Sequence, residues 1–312
     1  MKKKKKVGSK IMAVMLTVCL CIPLLGVTVQ AADMEPDFTG NYAFVDSKVE
    51  KCDLYLPDGE GPFPVVIFLT GGAWLMTDKS GRLGNMNAGE VFNVAPYLLD
   101  RGYAVLAISY SSIFDSKMPR QIDETQAAIR WTKNFASRFN LDKNRIALWG
   151  CSAGGYEVNV TGCLGAKVDC GDWGYGNLFE DNSVDAVVDF YGVVDFNTIE
   201  EQSQYDFMKP LYQTAQKCLF GSLVKDSQYW SYFSDPKNYI RSDAPAYFIA
   251  HGTTDSLVPY QQSVDFANAL SSVLGEEKVE FVSIEGAEHA SEPFFTDEVL
   301  GQACDFLDAH LN

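Results

Sequence analysis

The stretch RIALWGCSAGG, Arg145 to Gly155, holds a strand, a sharp turn and the start of a helix. Ile146 to Trp149 form a short apolar run that suits a parallel strand buried on both faces. Gly150 and Gly154 stand two before and two after Ser152. A tight strand-to-helix turn requires small residues there, because larger side chains would clash. Such a turn lifts its middle side chain to the carboxyl end of a sheet, which makes Ser152 the candidate nucleophile. Gly-x-Ser-x-Gly alone is a frequent accident. Its weight here comes from the strand before it, Gly155 after it and the partners further along the chain.

Upstream, the alternation in VEKCDLYLP predicts an antiparallel edge strand over Lys48 to Leu56, closed by Pro57. Phe63 to Leu69 is continuously apolar and predicts a central strand that delivers Thr70-Gly71-Gly72-Ala73-Trp74 to the top of the sheet. Glycines in that position let backbone N–H groups face a ligand. Met76 to Glu90 reads as a polar loop near the pocket, Val91 to Asp100 as a helix and Tyr103 to Tyr110 as a strand. Pro119 to Phe139 reads as the longest helix, stopped near Asn140. Downstream, strands are expected at Val184 to Phe190, Ala246 to Ala250 and Val279 to Ile284. His251 to Asp255 is expected as an exit loop, with helices at Tyr260 to Leu274 and Glu298 to Leu311. Residues 197–239 break this rhythm with many aromatic side chains, Tyr205, Phe220 and Trp230 among them. They read either as a small helical cap over the pocket or as a helical flank with an aromatic core. The alternation as a whole predicts a single α/β domain over 32–312, a doubly wound, mostly parallel sheet with helices on both faces.

The amino-terminal segment has a different logic. Lys2 to Lys6 with Lys10 make a basic head, Ile11 to Val29 an almost unbroken apolar run, and Val29-Gln30-Ala31 a small-residue exit. That pattern predicts a secretory signal peptide over 1–31. A retained anchor is the alternative, since the run is nearly long enough to span a bilayer; Pro23 and the small-residue exit favour cleavage. Cleavage removes six of the 25 basic residues and none of the 41 acidic ones, taking the formal charge from -16 to -22. Such a surface repels polyanions, which excludes nucleic acid as a partner. No stable membrane insertion is expected once the segment is gone. A small-molecule or carbohydrate-linked ester without charge suits the surface better.

Export permits disulfides, and Cys52, Cys151, Cys163, Cys170, Cys218 and Cys304 lie beyond the segment. Cys163 and Cys170 flank a short loop and are the pair expected first. Cys151 is expected as a packed free thiol, because a bridge beside Ser152 would tether the turn. No cysteine spacing fits a zinc or iron–sulfur site, and the three histidines leave a metal short of ligands, so neither metal nor cofactor is expected.

A serine hydroxyl is a poor nucleophile near neutral pH unless an oriented base takes its proton. His251, next to Gly252 at a strand end, reads as structural, and His310 lies close to the carboxyl terminus. His289, in the loop after the last strand, is therefore the base by elimination and position. The acid is expected between serine and histidine in chain order, at the exit of the penultimate strand. Asp255 stands there; Asp189, Asp195 and Glu288 are the alternatives, each more simply read as a solvated or capping carboxylate. An oxyanion needs two donors, and the N–H of Ala153 with the backbone at Gly72 and Ala73 can supply them. Thr70 and Gly71 are the candidate supports of that loop.

These motifs resemble the α/β-hydrolase superfamily, in the esterase/lipase branch that holds hormone-sensitive lipase and the bacterial feruloyl and acetyl esterases of plant-wall polysaccharide. The likeness runs from about Asp53 to Leu307. It takes in Pro64 to Trp74, Arg101 to Val105 with Ser109-Tyr110, Asp123 to Trp131, Asp142 to Gly155 and Asp189 to Gly192, then His251 to Asp255, Val258-Pro259, Glu285-Gly286 and His289. The resemblance implies Ser152, Asp255 and His289 as a triad and Gly72, Ala73 and Ala153 as an oxyanion hole. It departs at Thr70, where the family usually has histidine, and over Tyr156 to Gly165, where the family's helix is apolar. The implied activity is serine carboxylic-ester hydrolysis on short or aromatic acyl esters. A lipase on longer chains, a serine exopeptidase of the prolyl-oligopeptidase type and a binding protein on an inactive scaffold are the alternatives. The exopeptidases commonly have a large domain ahead of the fold, and none fits before Asp53. An inactive scaffold tolerates loss of a triad member, and all three are present.

Overall fold

The computed structural model describes residues 34–311 except 46–47, 81, 84–85, 88 and 167–175. The expected signal peptide and Cys170 lie outside the described residues. The strands in chain order are β1 (Phe38–Val45), β2 (Lys48–Tyr55), β3 (Phe63–Leu69), β4 (Arg82–Leu83), β5 (Met86–Asn87), β6 (Ala104–Ile108), β7 (Leu141–Cys151), β8 (Ala186–Phe190), β9 (Ala246–Gly252) and β10 (Val279–Ile284). Eight of them form one sheet in the order β1-β2-β6-β3-β7-β8-β9-β10, and β4 pairs with β5 separately. From β6 to β10 every pairing is parallel, while β2 runs antiparallel to both β1 and β6.

The helices are α1 (Glu90–Asp100), α2 (Arg120–Phe139), α3 (Ala153–Leu164), α4 (Ile199–Gln202), α5 (Lys209–Leu219), α6 (Gln228–Phe233), α7 (Gln261–Leu274) and α8 (Asp297–Leu311). Strand side chains alternate between two cores, as the period of two requires. Val65, Ile67, Leu106 and Leu148 pack with α2, α3 and α7, whereas Val66, Phe68, Val105 and Trp149 pack with α1 and α8. All of β6 is buried, and all of β3 except Pro64. Each large apolar side chain so enclosed contributes about 1.5–3 kcal/mol. The middle of the sheet is thereby enclosed on both faces, and it is where β7 ends at the serine turn.

Several boundaries differ from the sequence reading. β2 is not the edge strand, because β1 pairs along its outer side from Phe38 to Val45. Met76 to Glu90 is not loop throughout, since it contains β4 and β5 and ends on the first residue of α1. His251 and Gly252 belong to β9, where they pair with Ser283 and Ile284, and not to an exit loop. α2 does stop at Asn140, whose left-handed φ of 54° closes the helix. In 197–239, Tyr212, Leu219, Phe220 and Val224 join the core beside α3, while Tyr229, Tyr232 and Phe233 remain exposed.

Cys52, Cys151, Cys163, Cys218 and Cys304 are free thiols. The expected Cys163–Cys170 bridge is therefore not formed. Cys163 is fully buried with Sγ 3.4 Å from the Tyr247 hydroxyl, which turns it into the sheet. Among the described residues, no helix is long and apolar enough to cross a membrane.

Candidate active site

β7 lies between β3 and β8, and its last residue precedes Ser152. Ser152 has φ 52° and ψ -113°, a left-handed conformation that a side chain adopts only when its surroundings hold it there. Close packing does so. A Cβ on Gly150 would lie 2.2 Å from the Gly154 carbonyl oxygen, and one on Gly154 would lie 2.3 Å from that of Leu69. These neighbours are backbone and cannot move aside. The Ser152 N–H also donates to the Phe190 carbonyl at 2.8 Å, which ties the turn to β8.

His289 and Asp255 come from the loops after β10 and β9, neighbouring strands in the sheet. His289 Nε2 is 2.9 Å from Ser152 Oγ, and His289 Nδ1 is 2.7 Å from Asp255 Oδ2. A carboxylate only accepts, so Nδ1 bears the proton and Nε2 is free to accept from serine. Asp255 Oδ1 in turn accepts from the N–H groups of Leu257 and Val258, both at 2.8 Å. Burial pushes the Asp255 carboxyl upward, but the neighbouring charge of His289 and the hydrogen bonds from His251 and His289 outweigh it and hold the group well below the usual carboxylate range.

His251 has a structural position with one consequence for the site. Its Nε2 is 3.0 Å from the Val258 carbonyl and 3.2 Å from Asp255 Oδ2, and its Nδ1 is 2.7 Å from Ser263 Oγ. Nε2–H therefore points at two acceptors, and Asp255 is steadied by a second imidazole. The alternative acids lie elsewhere. Asp189 is fully buried and accepts from Asn159 Nδ2 and the Gly192 N–H; Asp195 pairs with Lys237 at 3.2 Å. Glu288 accepts from the Ser256 N–H and hydroxyl, linking the histidine loop to the aspartate loop. His310 packs on Phe306 in α8, with ring centres 4.4 Å apart.

The loop from Thr70 to Trp74 leaves β3 beside the serine. A Cβ on Gly71 would lie 2.8 Å from Glu90 Oε1 and 3.2 Å from Ser152 Cβ, so this backbone passes close to the nucleophile with little room for a side chain. The Gly72 carbonyl accepts from Leu75 and Met76, closing a turn. Among the described residues the Gly72 and Ala73 N–H groups meet no acceptor, and Ala153 opens α3, where a helix leaves its first N–H groups unpaired. The candidate donors thus flank Ser152. The Thr70 hydroxyl and the Gly71 N–H both donate to Glu90 Oε2, at 2.7 and 2.8 Å, a partner the sequence did not suggest.

Glu90 and Glu157 are the residues that sequence reasoning missed. Glu90 closed what read as a polar loop, and Glu157 sat in the helix that departs from the family's apolar pattern. Part of the departure has a physical reason, because the Tyr156, Glu157 and Asn159 side chains each have one partner, whereas Thr161 Oγ1 has none among the described residues. Glu157 Oε1 accepts from Trp74 Nε1 at 2.5 Å, the Tyr156 hydroxyl donates to the Ser234 carbonyl at 3.2 Å, and Asn159 donates to Asp189 at 2.7 Å. Trp74, Tyr156 and Phe196 stack edge to face or tilted, with centres 5.3–6.0 Å apart, and Tyr191 meets the His289 ring edge at 4.9 Å.

Comparison with known proteins bears on the family and the fold. Among curated proteins, the Probable carboxylic ester hydrolase LipM of Mycobacterium tuberculosis (strain ATCC 25618 / H37Rv) is 29% identical over 236 residues, which cover 75% of this chain and 50% of that protein. Esterase LipC of the same organism is 29% identical over 234 residues, covering 73% of this chain and 53% of that protein. The chain thus spans about half the length of the curated relatives it matches. Among solved structures, a bifunctional GH43-CE protein of Bacteroides eggerthii superposes with a TM-score of 0.73 at 26% identity, over 90% of this chain and 39% of that one. A truncated carbohydrate esterase from gut microbiota gives 0.72 at 25% identity, over 89% and 98%. The fold is that of the α/β-hydrolase esterases, and residues 52–270 match the BD-FAE family. With the match covering well over half of its length, the chain belongs to the BD-FAE family.

Proposed function

We propose that this chain is a serine carboxylic-ester hydrolase working through an acyl-enzyme. The observation that supports it is the unbroken relay from Ser152 Oγ through His289 to Asp255, at 2.9 and 2.7 Å, beside the Gly72–Ala73 backbone. Ser152 Oγ attacks the ester carbonyl carbon as its proton passes to His289 Nε2. The carbonyl oxygen takes the negative charge and is met by the Ala153 N–H and the Gly72–Ala73 loop. The tetrahedral adduct collapses, the carbon–oxygen bond to the alcohol breaks, and the alcohol leaves with the proton from Nε2. Water then gives its proton to Nε2 and attacks the acyl carbon. Ser152 recovers that proton as the carboxylic acid departs. Asp255 remains ionised throughout and stabilises the transient imidazolium.

Short acyl or aromatic acyl esters, with carbohydrate-linked esters as the natural class, are the proposed substrates. The carbohydrate-esterase neighbours support the class. Residues 197–239 are proposed as a small cap: Gln202, Ser203 and Tyr205 border a hollow of about 290 Å³ together with Asp255, Pro259 and Tyr260. Export through the signal peptide is also proposed, with the mature chain beginning at Ala32.

Purified protein starting at Ala32 should turn over acetyl-xylan or methyl ferulate faster than a medium-chain triglyceride or an aminoacyl-p-nitroanilide. Ser152→Ala should lose several orders of magnitude in kcat while keeping its thermal transition, because the nucleophile acts as a unit with its base and acid. Turnover confined to the anilide, or a folded Ser152→Ala retaining a tenth of the rate, would contradict the proposal.

A further inference from the structure

Thr70 to Trp74 supply the proposed loop donors in a backbone conformation that L-residues avoid. φ is 108° at Gly72, 53° at Ala73 and 57° at Trp74. A non-glycine segment stays in that region only when its surroundings over-determine it. Here both ends are held by a buried glutamate, each from a different helix. At the entry, Glu90 on α1 accepts from the Thr70 hydroxyl and the Gly71 N–H through one oxygen. At the exit, Glu157 on α3 accepts from the Trp74 indole N–H. Gly72 and Ala73, the proposed donors, lie between the two holds.

Both carboxyls are out of solvent, Glu90 at 5% exposure and Glu157 at 0%. Burial is the first cause of the upward push on each acid. An apolar side chain at either position would avoid the cost of enclosing a carboxyl. Glu157 also stands on the helix that begins at the nucleophile, so its bond to Trp74 fixes the loop relative to Ser152 and the Ala153 N–H. We infer that Glu90 and Glu157 are positioning residues for ester hydrolysis, a two-point clamp that keeps the Gly72–Ala73 N–H groups aimed at the oxyanion. Neither touches the reacting atoms, and the inference rests on the serine-hydrolase reading above.

The test compares the mature chain with Glu157→Leu, Glu157→Gln, Trp74→Phe, the Trp74→Phe/Glu157→Leu double variant and Glu90→Leu. Each is assayed on a short p-nitrophenyl ester and for inhibition by a trifluoromethyl ketone, which forms an anionic hemiketal on serine. Glu157→Leu, Trp74→Phe and Glu90→Leu should each lower kcat about 10- to 100-fold with KM within about twofold, because the lost alignment matters only when charge develops. Ketone affinity should fall by a similar factor. The double variant should be no worse than the poorer single variant, since both remove one bond. Glu157→Gln keeps a carbonyl acceptor for the indole and should retain most of the activity. Unchanged kcat in folded Trp74→Phe, a loss shared equally by KM, or strictly additive losses would overturn the clamp. Trp74→Phe, which leaves Glu157 in place, decides the matter if Glu157→Leu does not fold. Wild-type protein without ester turnover would instead sink the hydrolase reading beneath it.

Discussion

Asp255 and Asp189 are two buried aspartates, one joined to Ser152 through His289 and one packed against Gly155 of the serine turn, and their surroundings drive them in opposite directions. Burial raises both, but at Asp255 the charge and hydrogen bonds of two imidazoles win, and the folded-state pKa is depressed. A depressed carboxylate stabilises the fold above its unfolded value of about 3.9 and loses that contribution as pH falls through the folded value. Asp255 is therefore ionised across the neutral pH range. Asp255→Asn presents an amide to Nδ1 and no longer enforces the required tautomer. Its kcat should drop by on the order of 10³- to 10⁴-fold in steady-state assays, as for acid-to-amide changes in such triads, and a loss under tenfold would contradict the role. At Asp189 burial outweighs the hydrogen bond from Asn159, the charge of His251 and the Gly192 N–H, pushing the carboxyl up to about 6. The folded state then holds the proton more tightly, so stability falls as pH rises from about 4 to about 6 and levels off above. Asp189→Asn should remove that slope, a change on the order of 2 kcal/mol across the window. Melting curves of both proteins at pH 4 to 7 read it directly; parallel curves would mean that Asp189 does not titrate there.

At the scale of elements, the serine turn and the closing helix show how differently two glycines are used. Gly154 meets the Leu69 backbone at once, whereas a Cβ on Gly301, inside α8, meets nothing within 4 Å. Gly301→Ala should therefore raise stability by about 0.5–1 kcal/mol through helix propensity, and Gly154→Ala should abolish soluble expression. Thermal melts decide the first and fractionation the second; a destabilised Gly301→Ala would show that α8 packs otherwise. The elements that were legible in the sequence are those with a local signal. β3 and β10 appear at the expected residues because an apolar run bounded by turns marks them, and the turn at Ser152 follows from glycine spacing. β1 was missed because Gly40 interrupts its alternation, and without β1 the next strand reads as an edge. Glu90 and Glu157 were illegible for another reason. Their partners lie 19 to 83 residues away in the chain, a separation with no period or motif to betray it.

Across the whole molecule, three parallel strands, β7, β8 and β9, with β10 beside them, bring serine, aspartate and histidine together from loops at one end of the sheet. β3, next to β7, adds the glycine loop at that end, so the candidate site stands outside the carboxyl ends of the strands, where open α/β sheets place their ligands. The formal charge of -16 disfavours polyanionic partners and is compatible with the uncharged ester proposed as substrate. Peptide mass mapping of the active chain after reaction with a fluorophosphonate reports on the nucleophile itself. The expected result is a single adduct on Ser152 that rises in step with loss of esterase activity and is missing in Ser152→Ala. Complete inactivation with the adduct on another residue, or with Ser152 unmodified, would contradict the mechanism.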